Sequence, residues 1–294
     1  MNGRIMDIKR MAVHDGPGLR TTLFLSGCPL RCLWCHNPEG LTAKSVIGFF
    51  PNKCIGCGAC VSVCPHTPIA VPENRALCEG CGRCADVCAT GARKQYGRLY
   101  SLEAAVAAAL EDRIFYGTRG GVTLSGGEPL MQADFALALL SALKQNGVHT
   151  ALDTCAYAPW PVFEQALNVC DLFLCDIKHM NAETHRRLTG QSNEQILENI
   201  RKLSQSGAQI QIRVPLIPGL NDDADNLCRT ADFIAELNVQ KVKLLPYHDM
   251  ARVKYEALGL KMAEIPVAQS AQERVQVAWK PFAERGVVAC SDAV

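Results

Sequence analysis

Several features are missing from this chain of 294 residues, and each absence removes a class of function. No apolar run reaches the ~18 residues of a membrane span. The start, Met1 to Arg10, has no apolar h-region and no cleavage site. No signal peptide is therefore expected, and the cytoplasm is the expected compartment. No block of basic charge is present either, and the net charge is only +1. Binding to nucleic acid or to a membrane surface through a charged face is not expected. A hydrophobic content of 48% suffices for a full core.

Cysteine, by contrast, is abundant. Of 16 cysteines, eleven fall between Cys28 and Cys88. A disulfide scaffold suits small secreted chains. In a reducing compartment, this clustering favours metal ligation. Cys54, Cys57, Cys60 and Cys64 form C-x2-C-x2-C-x3-C, and Cys78, Cys81, Cys84 and Cys88 repeat it 24 residues later. This is the pattern of a bacterial two-cluster ferredoxin, in which the fourth cysteine of each run ligates the other cluster. The expected ligand sets are Cys54, Cys57, Cys60 with Cys88, and Cys78, Cys81, Cys84 with Cys64. Pro65 follows Cys64 as the motif requires, whereas Ala89 replaces the second proline. A zinc ribbon would use two C-x2-C pairs and leave four cysteines idle. The stretch has too few large apolar residues to fold without such a staple. Residues 47–98 are read as a ferredoxin-like insert, with 1–46 and 99–294 forming the main domain.

The main domain alternates. Strand-like runs occur at Thr22–Ser26, Gly121–Leu124, His149–Asp153, Leu172–Asp176, Gln209–Val214 and Lys241–Leu245, with a last one at Val287–Cys290. Helical patterns lie at Ser101–Phe115, Gln132–Asn146, Ile196–Ser206, Asp222–Leu237 and Ser270–Glu284. Such alternation implies an α/β fold with a parallel sheet and right-handed crossovers. A partial (β/α)6 TIM-type barrel is expected; a flat doubly wound sheet has the same periodicity.

A third cysteine group, Cys28-x3-Cys32-x2-Cys35, has a different spacing. Three thiolates can hold a [4Fe–4S] cluster at three irons and leave the fourth open to a non-protein ligand. A zinc site completed by His36 is the alternative. With Asp15-Gly-Pro-Gly-Leu-Arg20, His36-Asn-Pro38, Ser125-Gly-Gly-Glu-Pro129, Asp153-Thr154, Asp176-Ile-Lys178 and Leu245-Pro-Tyr-His248, the triplet resembles the glycyl radical enzyme activating enzymes of the radical S-adenosylmethionine (SAM) superfamily.

The resemblance implies three [4Fe–4S] clusters, SAM at the open iron, a glycyl radical enzyme as partner, and flavodoxin or ferredoxin as electron donor. It assigns Trp34, Gly126, Gly127, Glu128, Asp153, Asp176, Lys178, Arg213 and His248 to SAM. Asp153, Thr154 and Asp176 become candidates for holding a monovalent cation, and Asp15 and His36 for the partner's glycine loop. Arg20 would support that region, beside His14. Core packing competes for Trp34, an ordinary turn for the glycines, and a structural hydrogen bond for His248. A monomer is expected. Apart from the resemblance, the polar groups from Cys28 to His248 all fall at the carboxyl ends of their strands, where such folds place active sites. Cys155, Cys170, Cys175, Cys228 and Cys290 share no spacing and are assigned to packing. Two other functions remain: a radical SAM enzyme acting on a different peptide or a small molecule, and a two-cluster electron carrier.

Overall fold

A computed structural model describes residues 1–66, 72–237, 239, 241–266 and 271–289. Cys290 and Ser270 lie outside the described residues.

The strands are β1 (Asn2–Ala12), β2 (Arg20–Leu25), β3 (Val46–Phe49), β4 (Arg93–Tyr96), β5 (Arg98–Ser101), β6 (Gly121–Gly126), β7 (His149–Thr154), β8 (Leu172–Asp176), β9 (Ile210–Leu216), β10 (Lys241–Pro246) and β11 (Val288–Ala289). The helices are α1 (Ala59–Ser62), α2 (Arg83–Asp86), α3 (Leu102–Leu110), α4 (Ala133–Gln145), α5 (Trp160–Ala166), α6 (Ala182–Thr189), α7 (Glu194–Gln205), α8 (Ala224–Glu236), α9 (Arg252–Leu258) and α10 (Ala271–Glu284). The main sheet runs β11-β10-β9-β8-β7-β6-β2-β1-β5. From β2 to β11 all neighbours are parallel. These strands follow chain order, without the reversal of a doubly wound sheet. The observed fold is thus α/β with a mostly parallel sheet.

Burial on both faces explains the near-continuous apolar character of β6 and β8. Helix α4 covers the sheet with Phe135, Leu139, Leu140 and Leu143, and α7 with Ile196, Ile200 and Leu203. Helix ends follow local rules. Ser101 caps α3 by accepting from the Ala104 N–H, and Asp223 caps α8 by accepting from Asn226.

The expected helices and the six parallel strands appear, with ends shifted by a few residues. The antiparallel edge strands β1 and β5 were not read from the sequence. Register shifts between Ile5 and Asp7 and between Lys9 and Ala12 break the alternation of β1. Helices α5, α6 and α9 are only seven or eight residues long. Among the described residues, no helix is long and apolar enough to cross a membrane.

Loops from distant strands meet at both sheet edges. The Lys243 ammonium on β10 donates to the His14 carbonyl, 3.3 Å away in the β1–β2 loop. At the other edge, His36, after β2, donates to the His248 carbonyl, after β10.

Buried Asn199 on α7 donates to the carbonyls of Ala156 and Ala158, both at 2.8 Å. It thereby fixes the loop after β7, where Ala156 adopts φ +58°. Asn199→Ala should cost about 2–3 kcal/mol, because it removes two bonds and strands two buried carbonyls. Urea unfolding of wild type and variant would measure it.

Candidate active site

Strand β2 ends at Leu25, and the chain then turns through Gly27 to Cys28. The loop carrying Cys28, Cys32 and Cys35 is held by backbone bonds to the end of α6. Arg31 N–H donates to Thr189 O at 2.6 Å, and Leu33 N–H to Leu188 O at 3.1 Å. Lys254 on α9 grips its far end, reaching the His36 carbonyl, Asn37 Oδ1 and Glu39 Oε1 at 3.0, 2.9 and 2.6 Å. Burial pushes the Cys32 thiol up to about 12 and the Cys35 thiol up to about 11. A hydrogen bond from the Cys155 thiol instead lowers Cys28. The environment thus favours neutral thiols at two of the three positions, and a cation bound by them supplies the missing counter-charge. Among the described residues, no three His, Cys, Asp or Glu side chains converge on a single-ion site. A cluster needs no such convergence, since each of its irons takes one thiolate.

Gly126, at φ +128°, lies so close to β2 that a Cβ there would collide with the Leu25 carbonyl. Its own carbonyl accepts from Asn37 Nδ2 at 3.3 Å, which ties this turn to the cysteine loop. A Cβ on Gly127 would strike the Gly27 and Gly40 carbonyls. Both glycines therefore bring the two loops together.

Three adjacent strand ends supply a row of charge. Asp153 Oδ2 accepts from Ser125 Oγ at 2.7 Å, and its Oδ1 lies 3.1 Å from Arg213 Nη1. Arg213 Nε lies 3.8 Å from Asp176 Oδ1, and Asp176 Oδ2 accepts from Lys178 Nζ at 2.7 Å. Burial raises the Asp153 carboxyl against the pull of Arg213. Burial also opposes the Lys178 charge, yet Asp176 and Cys32 hold its pKa above the usual lysine value. Asp176 Oδ1 and Arg213 Nε and Nη1 are buried and meet through these ion pairs, outside hydrogen-bond geometry. Buried charges held this way suit a polar, zwitterionic ligand beside the cysteine loop.

The radical SAM superfamily model matches residues 22–231. The trans-4-hydroxy-L-proline dehydratase activating enzyme of Clostridioides difficile is 41% identical over 285 residues, 94% of each chain. The choline trimethylamine-lyase activating enzyme of Oleidesulfovibrio alaskensis is 43% identical over 268 residues, 87% of this chain and 86% of that one. The chain belongs to the radical SAM superfamily, among its glycyl radical enzyme activating enzymes. A radical SAM methyltransferase from Sphaerobacter thermophilus shares the fold, with a TM-score of 0.53 at 14% identity over 92% of this chain and 65% of that one.

Several residues of this activating enzyme sit differently from expectation. Glu128, read as a SAM contact, is fully buried. Its carboxylate accepts from Leu130 N–H, Thr154 Oγ1 and Cys155 N–H at 3.0, 2.8 and 2.7 Å. It is a bracket between two strand ends. Thr154 Oγ1 donates to Glu128 and accepts from Ala156 N–H, while Asp153 and Asp176 face Arg213 and Lys178. The expected cation trio therefore already has protein partners. Arg213, read as a contact to the ribose, adenine or bound glycyl loop, is part of the charge row. Trp34 packs into a second core with Leu188, Ile217, Tyr247 and Tyr255, which follows its packing reading.

Each candidate for the partner's loop has its own partners within the protein. Asp15 Oδ2 accepts from Thr22 and its carbonyl from Thr123, at 2.8 and 2.6 Å. His36 stacks on His248 at 4.2 Å, and burial lowers its pKa to about 4. Buried Arg20 donates to Thr123 Oγ1, Val122 O and His149 O, which bolts the starts of β2, β6 and β7 together. Cys155, assigned to packing, is indeed buried, but its thiol also meets Cys28. Lys254 carried no sequence signal at all.

Within residues 47–98, Cys54, Cys57, Cys60 and Cys88 line one cavity together with Phe49 and Arg93. Cys84 is buried on Ile47, beside Cys60 and Cys78. Cys78 Sγ accepts from Gly80 N–H at 3.4 Å, and Cys81 is exposed. Cys64 lies at the end of the first run, partly buried. Gly58 and Gly82, both left-handed, open α1 and α2 at equivalent points of the repeat.

Arg213→Met would leave Asp153 and Asp176 buried with Lys178 as their remaining cation. It should destabilise the enzyme by about 3–5 kcal/mol. Adding Asp153→Asn should recover part of that loss, and a double-mutant cycle from urea midpoints would quantify the coupling.

Proposed function

We propose that this enzyme activates a glycyl radical enzyme by reductive cleavage of SAM. Cys28, Cys32 and Cys35 would hold a [4Fe–4S] cluster with one iron open to SAM. When bound and reduced, that cluster supplies one electron to split SAM into methionine and a 5′-deoxyadenosyl radical, which takes a hydrogen atom from a glycine α-carbon of the partner.

The protein's own residues orient and shield. Lys178 would face the methionine carboxylate, and Gly126-Gly127 would admit its amino group against bare backbone. Arg213 and Asp176 would complete the polar wall, and Glu128 would support Thr154 and Cys155 from behind. Asp15 and His36 belong to the surface offered to the partner, with His248 backing His36.

Residues 47–98 would form a ferredoxin-like insert with two further [4Fe–4S] clusters, fed by flavodoxin or ferredoxin in the cytoplasm. The main domain, 1–46 with 99–294, would curve as a partial barrel. The contacts His14–Lys243 and His36–His248 support that curvature. On a flat sheet, five strand spacings, about 24 Å, would separate β2 from β10.

The observation that carries the reading is the triple-cysteine loop, clamped at the carboxyl edge beside a row of buried charges. The relatives serve dehydratase and lyase systems by their names, so the partner is left as a class.

Anaerobically reconstituted, reduced enzyme should release 5′-deoxyadenosine from SAM. With its glycyl radical enzyme partner, it should produce a glycyl doublet by electron paramagnetic resonance (EPR). The Cys28/Cys32/Cys35→Ala triple variant should lose both while retaining about eight irons. Cleavage persisting in that variant would contradict the proposal, as would a pure electron carrier's lack of 5′-deoxyadenosine in the wild type.

A further inference from the structure

Arg93 is a buried cation that no part of the mechanism above uses. It pairs with Phe49 across the β3–β4 ribbon, and its guanidinium carbon lies 4.0 Å from the centre of the Phe49 ring. The residue is 4% exposed, and Nη1 has no hydrogen-bond partner. Among the described residues, no carboxylate forms an ion pair with it. Stacking on an aromatic face offsets part of the cost of burying a guanidinium. It does not satisfy the orphaned N–H.

Arg93 and Phe49 line the cavity shared by Cys54, Cys57, Cys60 and Cys88, and the Arg93 charge also reaches Cys84 of the second quartet. The Arg93 backbone N–H already donates to Cys88 Sγ at 3.4 Å. A four-thiolate [4Fe–4S] cluster is anionic in both oxidation states, and more so when reduced. It would give the stranded guanidinium both a counter-charge and sulfur acceptors. A cation and N–H donors beside such a cluster favour the reduced state, since charge and hydrogen bonds to sulfur set its potential.

We propose that Arg93 raises the potential of the cluster held by Cys54, Cys57, Cys60 and Cys88. This rests on the reading of residues 47–98 as a two-cluster insert. Arg93 is thus a tuning residue of the insert, outside the triple-cysteine loop. The second quartet has Cys84 buried against Ile47.

The test is an EPR-monitored redox titration of anaerobically reconstituted full-length enzyme, wild type against Arg93→Lys and Arg93→Gln, with iron counted in each. Arg93→Gln should keep its iron and move one insert cluster to a more negative potential. Arg93→Lys should show a smaller shift, and the SAM-responsive cluster should not move in either. A full iron complement with unchanged potentials in Arg93→Gln would overturn the proposal. If Arg93→Gln lost insert iron, retention in Arg93→Lys would support the role of charge, and equal loss in both would reduce Arg93 to packing. A wild type holding the iron of only one cluster would instead overturn the insert reading itself.

Discussion

Three thiolates can leave one iron of a cluster open only if their loop is prevented from folding a fourth ligand over it. Here that restraint comes from outside the loop. The end of α6 holds Arg31 and Leu33 by their backbone N–H groups, and Lys254 holds His36, Asn37 and Glu39. His36, the nearest spare ligand in sequence, is committed to His248 through a stack and a hydrogen bond. The loop is therefore tied to both ends of the parallel sheet, and the rest of the site is arranged against it.

The second arrangement is the alternating row Asp153–Arg213–Asp176–Lys178. Its two carboxylates and two cations balance, which makes their shared burial tolerable. The row also crosses β7, β8 and β9, whose parallel register sets Asp153 opposite Leu174 and Asp176 opposite Arg213. Strand register and charge order thus enforce each other. Because its charges are paired but not all aligned as hydrogen bonds, the row suits a preorganised polar wall.

Much of this was legible in the sequence. The cysteine spacings named the ligand candidates, and the β/α alternation gave the parallel strands, because both signals are local and periodic. Residues whose roles depend on tertiary contact were not legible. The protein partners of the candidate residues were hidden: Glu128 brackets two strand ends, Trp34 packs in a core with Tyr247 and Tyr255, and Asp153 and Asp176 meet Arg213 and Lys178. Arg20 bolts the opposite edge of the sheet, because β2 begins there. Cys155 and Lys254 had no motif; only folding brings them to the cysteine loop. Strand β1 escaped notice because its bulges erase the period of two.

The central claim is an iron left open for SAM by Cys28, Cys32 and Cys35. Electron–nuclear double resonance on the reduced enzyme, with SAM labelled by 15N at its amino group and 17O at its carboxylate, tests it most directly. The account predicts hyperfine coupling from both labels to the cluster, abolished in the Cys28/Cys32/Cys35→Ala variant. Absence of both couplings in fully reconstituted wild type with SAM bound, or an iron capped by a fourth side chain, would contradict it.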